Sequence, residues 1–191
     1  MTNSLRFTDT MGKPRTQTKK TPKSRRNNSA KSQPKMNEDP SKLLEQATIL
    51  LQAGQPDVAI SLAEQALELA PVNSPAHLMA TTTVAEIYIE LGEIEVAREH
   101  LLHAVELDPN GTIPESQGGG AEKFMWLSQL SEQGGADSVK WFEKGVSSLR
   151  HIIQQLEGTN NPEMAASLEE KKRELANALC GVAEIYMTDL S

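Results

Sequence analysis

The sequence predicts an all-α fold in which pairs of antiparallel helices stack into a solenoid. Three observations predict it. Aromatic residues make up only 4% of the chain, which is low for a β-sheet core and suits helices built from Ala, Leu and Glu. Small and apolar residues recur at helical spacing. The same pattern then returns 38 residues later, as the step from Gly54 to Gly92 illustrates.

The internal repeat indicates a two-helix unit. Four small or helix-breaking positions share the offset: Gly54 with Gly92, Ala59 with Ala97, Ala66 with Ala104, and Pro71 with Pro109. The glycine ends the first helix, and the proline stops the second. The alanines let the two backbones approach while Leu62, Leu67 and Leu69 fill the space between them. One such pair buries too little surface alone, so the units must stack.

These segments resemble tetratricopeptide repeats. Residues 59–71 and 97–109 are similar to the second helix of that family, and residues 43–52 and 78–91 to its first helix. The first helices carry a small residue at Ala47 and Ala85 and a large one at Leu50 and Tyr88. The family period is about 34 residues, so we expect one extra helical turn at Ser74–His77. The resemblance implies a right-handed superhelical solenoid.

Two further units are predicted beyond a glycine-rich loop at 110–120. The third has a first helix at 121–133, a turn at Gly134–Gly135 and a second helix at 137–156. The fourth begins with the cap-and-proline signal at 161–163, and its residues 182–186 repeat residues 84–88 letter for letter. We place the units at 40–73, 74–111, 120–157 and 162–191 within a domain of residues 38–191. Because the last unit has no second helix, apolar surface should be exposed there, and we expect a fragment of a longer protein.

The first 37 residues differ from the rest in charge. They hold ten basic residues and one acidic residue, a formal charge of +9, so the remainder carries −16 of the total of −7. We expect residues 1–37 to be disordered because they contain too few apolar residues to form a core. The basic cluster Lys19, Lys20, Lys23, Arg25 and Arg26 is typical of nuclear-import signals. The alternative is a tail that merely solubilises the chain or adheres to RNA.

The remaining composition favours a soluble protein that is not secreted. The sequence has neither an apolar run long enough to cross a bilayer nor a cleavable signal segment after Met1. The single cysteine, Cys180, fits a reducing compartment. We interpret it as a small core residue, with a reactive thiol as the alternative. We expect localisation in the cytoplasm and the nucleus, with no membrane partner.

No pattern in the sequence predicts catalysis or a cofactor. The strongest candidate is the pair His100 and His103, which a helix would place as neighbours, as a metal site requires. A third ligand is not evident, so we interpret both as surface or inter-repeat residues. Gly118, Gly119 and Gly120 lack the Lys that a phosphate loop needs, and we interpret them as a hinge.

The resemblance implies that the first helices line the concave, partner-binding face. It places these residues there: Met79, Thr82, Glu86, Ile89 and Glu90 in the second unit, and Cys180, Glu184 and Met187 in the fourth. Carboxylates interleaved with apolar residues would suit a basic, extended segment of another protein. The alternative is that these glutamates are ordinary solvated residues. Leu44 and Thr48 stand where the family's clamp for chaperone carboxylates would begin, which argues against that ligand.

A closer resemblance is carried by residues 119–130, 134–135, 141–145 and 179–190. These segments are similar to the fungal dedicated assembly chaperones of large-subunit ribosomal protein L four. The resemblance implies a partner that is a basic ribosomal protein, escorted to the nucleus, and no specific nucleic acid. Independently of the resemblance, the basic cluster of the tail predicts a nuclear-import receptor as a further partner. Two alternatives stay open: a general scaffold for peptides of another complex, and an RNA-associated factor that acts through its tail.

Overall fold

A computed structural model describes residues 39–158 and 164–189 of the chain. Its regular elements are seven α-helices and one 3-10 turn at Glu115–Gln117. The helices are α1 (Pro40–Gln52), α2 (Pro56–Leu69), α3 (Pro75–Leu91), α4 (Ile94–Leu107), α5 (Glu122–Gln129), α6 (Gly135–Gly158) and α7 (Ala165–Thr188). The predicted all-α fold is therefore confirmed for these residues. The basic cluster at 19–26 and the rest of the predicted tail lie outside them, as do the cap residues 161–163.

Local signals set the starts of α1 and α3. Asp39 Oδ1 accepts a hydrogen bond from Ser41 N at 3.0 Å, and Ser74 Oγ accepts one from His77 N at 3.1 Å. In both cases proline occupies the first helical position, where no donor is needed. Helix α3 has 17 residues against 13 in α1. This extra length is the additional turn that the 38-residue offset predicts.

The turn between α3 and α4 depends on a glycine. Gly92 has φ +78°, a left-handed conformation that other residues avoid. Gly92 N donates to Ile89 O at 3.0 Å, and Glu93 N donates to Tyr88 O at 2.9 Å. These bonds satisfy carbonyls at the helix end, so α4 can begin two residues later and run back antiparallel.

Each helix packs against the next one along the chain, and α1 also packs against α3. Alanines allow these close approaches: Ala47, Ala59 and Ala63 are fully buried and form one core cluster with Val84 and Ile87. A second cluster joins the middle of the domain and contains Ala85, Leu101, Phe124, Leu127 and Trp141. Both clusters include residues of α3, so neighbouring hairpins pack on one another as stacked repeats require.

Helix α5 is shorter than predicted, since it ends at Gln129 and not at Gln133. The Ser138 hydroxyl donates to Ser128 O at 2.7 Å, and Arg98 Nη1 donates to Leu130 O at 2.5 Å. A longer helix would use these two carbonyls for its own ladder. Side chains of neighbouring helices therefore end α5 early, an effect that helical periodicity cannot reveal.

Helix α7 packs against α6 and leaves apolar side chains in solvent. Leu179 is 42% exposed, Tyr186 51% and Met187 77%. The pentapeptide shared with α3 has different surroundings here, because Ala85 is fully buried whereas Ala183 is exposed. The exposed apolar surface predicted for the last unit is thus observed. No helix within the described ranges is long and apolar enough to cross a membrane.

Candidate functional site: an acidic cleft along the first helices

The first helices α5 and α7 line a cleft of about 770 Å³, called here the large cleft. Helix α7 contributes one stripe at helical spacing: Glu170, Glu174, Asn177, Gly181 and Glu184. Helix α5 contributes Glu122, Met125, Trp126 and Gln129, and α6 closes the base with Phe142 and Leu149. The large cleft therefore combines an aromatic and aliphatic base with carboxylates, a combination suited to a chain that is both basic and apolar.

A second cavity of about 170 Å³, the small pocket, adjoins the large cleft. Helix α3 supplies Met79, Thr82, Thr83 and Glu86 to its wall, and the loop before α5 supplies Gly118 and Gly119. Glu115, Glu122 and Trp126 line both cavities. The two cavities thus form one acidic surface that runs from α3 past α5 to α7.

The loop at 110–120 is packed against α3, so its interpretation as a flexible hinge is wrong. A Cβ on Gly118 would lie 2.5 Å from Met79 Cα and 2.7 Å from Met79 N. A Cβ on Gly119 would lie 2.2 Å from Ile113 O, inside the loop itself. The glycines are needed because the loop touches the helix and folds on itself. The loop thereby covers part of the α3 face.

A buried ion pair fixes this loop. Lys123 Nζ donates to Asp108 Oδ2 at 2.7 Å and to Gly120 O at 2.8 Å. The other oxygen of Asp108 accepts the backbone N–H groups of Thr112 and Ile113 at 2.9 and 3.4 Å. The end of α4, the loop and the start of α5 are therefore joined through one carboxylate and one ammonium group.

Carboxylates crowd where the two cavities meet. The pKa of Glu86 is raised to about 7, mainly by burial and secondly by the negative charge of Glu122. The pKa of Glu122 is also raised, mainly by burial and next by the charges of Glu115 and Glu174. Glu122 nevertheless keeps access to solvent. Ionised carboxylates held this close stabilise an incoming cation, because the cation relieves their mutual repulsion.

Trp126 adds an aromatic surface and a donor to this junction. Its indole N–H is shielded from solvent and has no acceptor in regular hydrogen-bond geometry. It nevertheless lies close enough to the Glu122 carboxylate to lower the pKa of that group and so oppose the larger upward effects. An aromatic ring beside carboxylates is a favourable contact for a Lys or Arg side chain.

The predicted partner-binding residues do not all reach this surface. Met79, Thr82 and Glu86 line the small pocket, and Glu184 lines the large cleft together with Cys180. Ile89 packs against the second core cluster. Glu90 and Met187 are exposed and line neither cavity.

Sequence reasoning missed six lining residues that come from the loop, from α5 and from α7. These are Glu115, Glu122, Trp126, Glu170, Lys171 and Glu174. The spacing of Glu170, Glu174, Asn177, Gly181 and Glu184 along one helix face is visible in the sequence and could have identified the α7 stripe. Glu115 gives no such signal, because a loop has no period.

The interpretation of Cys180 as a core residue is wrong, whereas the interpretation of His100 and His103 as surface or inter-repeat residues stands. Cys180 is exposed and lines the large cleft, so it is not a core residue. His100 stacks on Tyr88 with ring centroids 5.8 Å apart, whereas His103 Nε2 lies 3.4 Å from His77 Nε2. The two helical neighbours thus face different partners. Within the described residues, no group of three His, Cys, Asp or Glu side chains could hold a metal ion.

Comparison with known proteins agrees with this architecture. A tetratricopeptide-repeat family model matches residues 50–115. The chain is 63% identical over 150 residues to the "Probable assembly chaperone of rpl4" of Emericella nidulans, covering 76% of this chain and 39% of that protein. It is 30% identical over 132 residues to the Schizosaccharomyces pombe protein of the same description, covering 69% of this chain and 34% of that protein.

A solved structure is also similar. The "Assembly Chaperone of RpL4 (Acl4)" matches with a TM-score of 0.75 and 43% identity, over 81% of this chain and 56% of that one. The chain therefore spans less than two thirds of the length of the relatives it matches.

Proposed function

Because the chain is a tetratricopeptide-repeat protein similar to the assembly chaperones of rpl4, we propose that it is itself a chaperone that holds a basic segment of rpl4 for ribosome assembly. The segment lies along the large cleft and the small pocket. One observation carries the proposal: five glutamates line the large cleft against a single lysine. A newly made ribosomal protein is rich in positive charge and would otherwise adhere to RNA.

The chemistry of the cleft suits such a segment. Glu122 and Glu184 present carboxylates to Lys or Arg side chains, and Trp126 and Phe142 offer apolar surface to the aliphatic stems. The formal charge of −16 on residues 38–191 attracts a basic client over a longer distance. Attraction of this kind weakens with salt. A segment held along the first helices is protected from RNA and from other proteins.

Escort of the client to the nucleus is part of the proposal. The basic cluster at 19–26 would be read by an import receptor, and the protein would work in both cytoplasm and nucleus. Deleting residues 1–37 tests this element separately. Nuclear accumulation of a fluorescent fusion should then fall while rpl4 binding is retained. Loss of binding on this deletion would favour the alternative in which the tail, and not the cleft, makes the contact.

The central test is calorimetric titration with purified rpl4 of Emericella nidulans at about 0.1 M salt. We expect low micromolar affinity or tighter for the unmodified chain. The double variant Glu122→Gln/Glu184→Gln should bind about five- to thirtyfold more weakly, since each lost charge contact contributes roughly 0.5–1 kcal/mol.

The matched control is Glu95→Gln/Glu99→Gln, which removes the same charge from the exposed face of α4. This control should change the affinity little. Equal weakening by both double variants would show that total charge, and not the cleft, decides binding. An unmodified chain that does not bind rpl4 would refute the proposed function.

A further inference from the structure

Lys171 of α7 is the one basic residue among the described residues that line the large cleft. Its side chain is only 12% exposed, whereas those of Glu115 and Glu174 are 43% and 41% exposed. The cation is thus more deeply placed than the anions that hold it. A surface lysine that only improves solubility would extend into water.

The ammonium group of Lys171 connects two parts of the cleft wall. It donates to Glu115 Oε1 at 2.7 Å and to both carboxylate oxygens of Glu174 at 2.9 Å. Burial disfavours its charge, but the hydrogen bonds to Glu115 and Glu174 outweigh burial and raise the pKa of Lys171. Lys171 is therefore charged and held in place at neutral pH.

The position of this bridge matters because Glu115 belongs to both cavities. The loop that carries Glu115 is packed on α3 through Gly118, so Glu115 cannot simply follow Lys171 outward. The bridge consequently spans the place where an extended chain would pass between the large cleft and the small pocket. Two carboxylates at that place are already occupied by a lysine.

We propose that Lys171 is an intramolecular competitor, occupying the position that a Lys or Arg side chain of the basic client takes when it binds. This inference rests on the proposed function. Client binding exchanges one ion pair for another: the incoming cation bonds to Glu115 and Glu174, and Lys171 turns out to solvent. Because Lys171 is tethered, its effective concentration is high. Basic chains that cannot place a cation at this position therefore gain no contact with Glu115 and Glu174.

The neighbouring residue provides a matched control. Lys172 Nζ lies 3.2 Å from Glu157 Oε1 and 3.6 Å from Glu169 Oε1, its side chain is 43% exposed, and it lines neither cavity. Lys171→Met and Lys172→Met remove the same charge from adjacent positions of one helix. The long-range attraction of the client changes equally in both variants. A difference in rpl4 affinity between the two variants therefore measures the effect of the bridge from Lys171 to Glu115 and Glu174.

The experiment is titration of purified Emericella nidulans rpl4 into the unmodified chain and three variants: Lys171→Met, Lys172→Met and Lys171→Arg. We expect Lys171→Met to bind about two- to fivefold more tightly than Lys172→Met, the range expected for one partly exposed ion pair. Lys171→Arg retains the competing cation and should bind like the unmodified chain. Equal or weaker binding by Lys171→Met, with the unmodified chain still binding, overturns the inference alone. Absence of binding by all four proteins overturns the proposed function and the inference together.

A second measurement needs no substitution and covers the case in which Lys171→Met does not fold. The nitrogen resonance of the Lys171 ammonium group is followed by NMR in the lysine-labelled chain while rpl4 is added. We expect it to move toward the resonance of the exposed Lys172. A Lys171 resonance that stays unchanged in the saturated complex overturns the inference.

Discussion

Lys123 and Asp108 form an ion pair with Nζ and Oδ2 2.7 Å apart and side chains that are only 1% and 2% exposed. Charges at such depth are tolerated because each makes further hydrogen bonds, Lys123 to Gly120 O and Asp108 to two backbone N–H groups. The pair links α4 to α5 and sets the conformation of the loop between them. It is thus a structural support of the cleft although neither group needs to touch a ligand.

Removing one partner of this pair should destabilise the fold strongly. We expect Asp108→Asn or Lys123→Met to lower the free energy of unfolding by about 3–5 kcal/mol, because the remaining charge is buried without a counter-ion. Urea denaturation followed by circular dichroism measures the loss. As a control, Lys172→Met breaks an exposed pair and should cost less than about 1 kcal/mol. Similar losses in the buried and exposed pairs would contradict the structural role given to Asp108.

The docking of the loop on α3 predicts different costs at two glycines. Gly92 and Gly118 both have φ +78°, but a Cβ on Gly92 meets nothing within 4 Å, whereas one on Gly118 meets the Met79 backbone. Gly92→Ala should therefore cost only the conformational strain, about 1 kcal/mol. Gly118→Ala should cost about 2–4 kcal/mol, since a helix backbone cannot yield. Thermal unfolding of both variants gives the comparison, and equal costs would mean that the loop is not held against α3.

The raised pKa of Glu86 gives a pH dependence with a defined sign. Burial and the charge of Glu122 raise the pKa to about 7 from a usual value of 4.5, so the folded state favours the protonated carboxyl. Its contribution therefore grows more stabilising as pH falls from 7 toward 4.5. At pH 8 the ionised group is unfavourable, and Glu86→Gln should raise stability by about 1–2 kcal/mol.

That gain should shrink as pH falls through 7 and vanish below pH 4.5, where the carboxyl is protonated in both states. Urea denaturation at several pH values measures it. Glu90→Gln, one turn further along α3 and exposed, is the matched control and should show no gain at pH 8. A pH-independent effect of Glu86→Gln would contradict the prediction.

The contact between His77 of α3 and His103 of α4 gives a pH dependence of stability with the opposite sign. Burial and then the nearby His103 lower the pKa of His77, whose Nε2 lies 3.4 Å from Nε2 of His103. The unfolded chain takes up a proton first, so this contribution to stability is present above pH 6.5 and is lost on acidification. The variant His77→Gln should lose less folding stability between pH 7 and pH 5 than the unmodified chain. Because solvent screens the pair, we expect a change below about 1 kcal/mol, detectable as a smaller shift of the melting temperature.

Short-range signals made much of the fold predictable. Asp39, Ser74 and Gly92 act on residues within one turn, so the helix ends that they determine can be read from the sequence. The alanines at Ala59, Ala63 and Ala66 likewise report close helix packing through their spacing alone. These features can be predicted without knowing which distant residues contact one another.

The cleft was less predictable because distant residues assemble it. Glu115 reaches Lys171 across 56 positions of the chain, and the loop conformation that brings it there depends on Asp108 and Lys123. Alignment of the repeats placed Glu86 and Glu184 on one face, whereas in the structure Glu86 lines the small pocket and Glu184 the large cleft. Pairwise matching of helices cannot show that a loop intervenes between them.

Cys180 is the only cysteine of the chain, is exposed, and lines the large cleft together with Glu122 of α5. Maleimide chemistry can therefore attach one fluorophore at one defined place without any engineering of the protein. An environment-sensitive dye at that atom would report, through its emission colour, when a polypeptide enters.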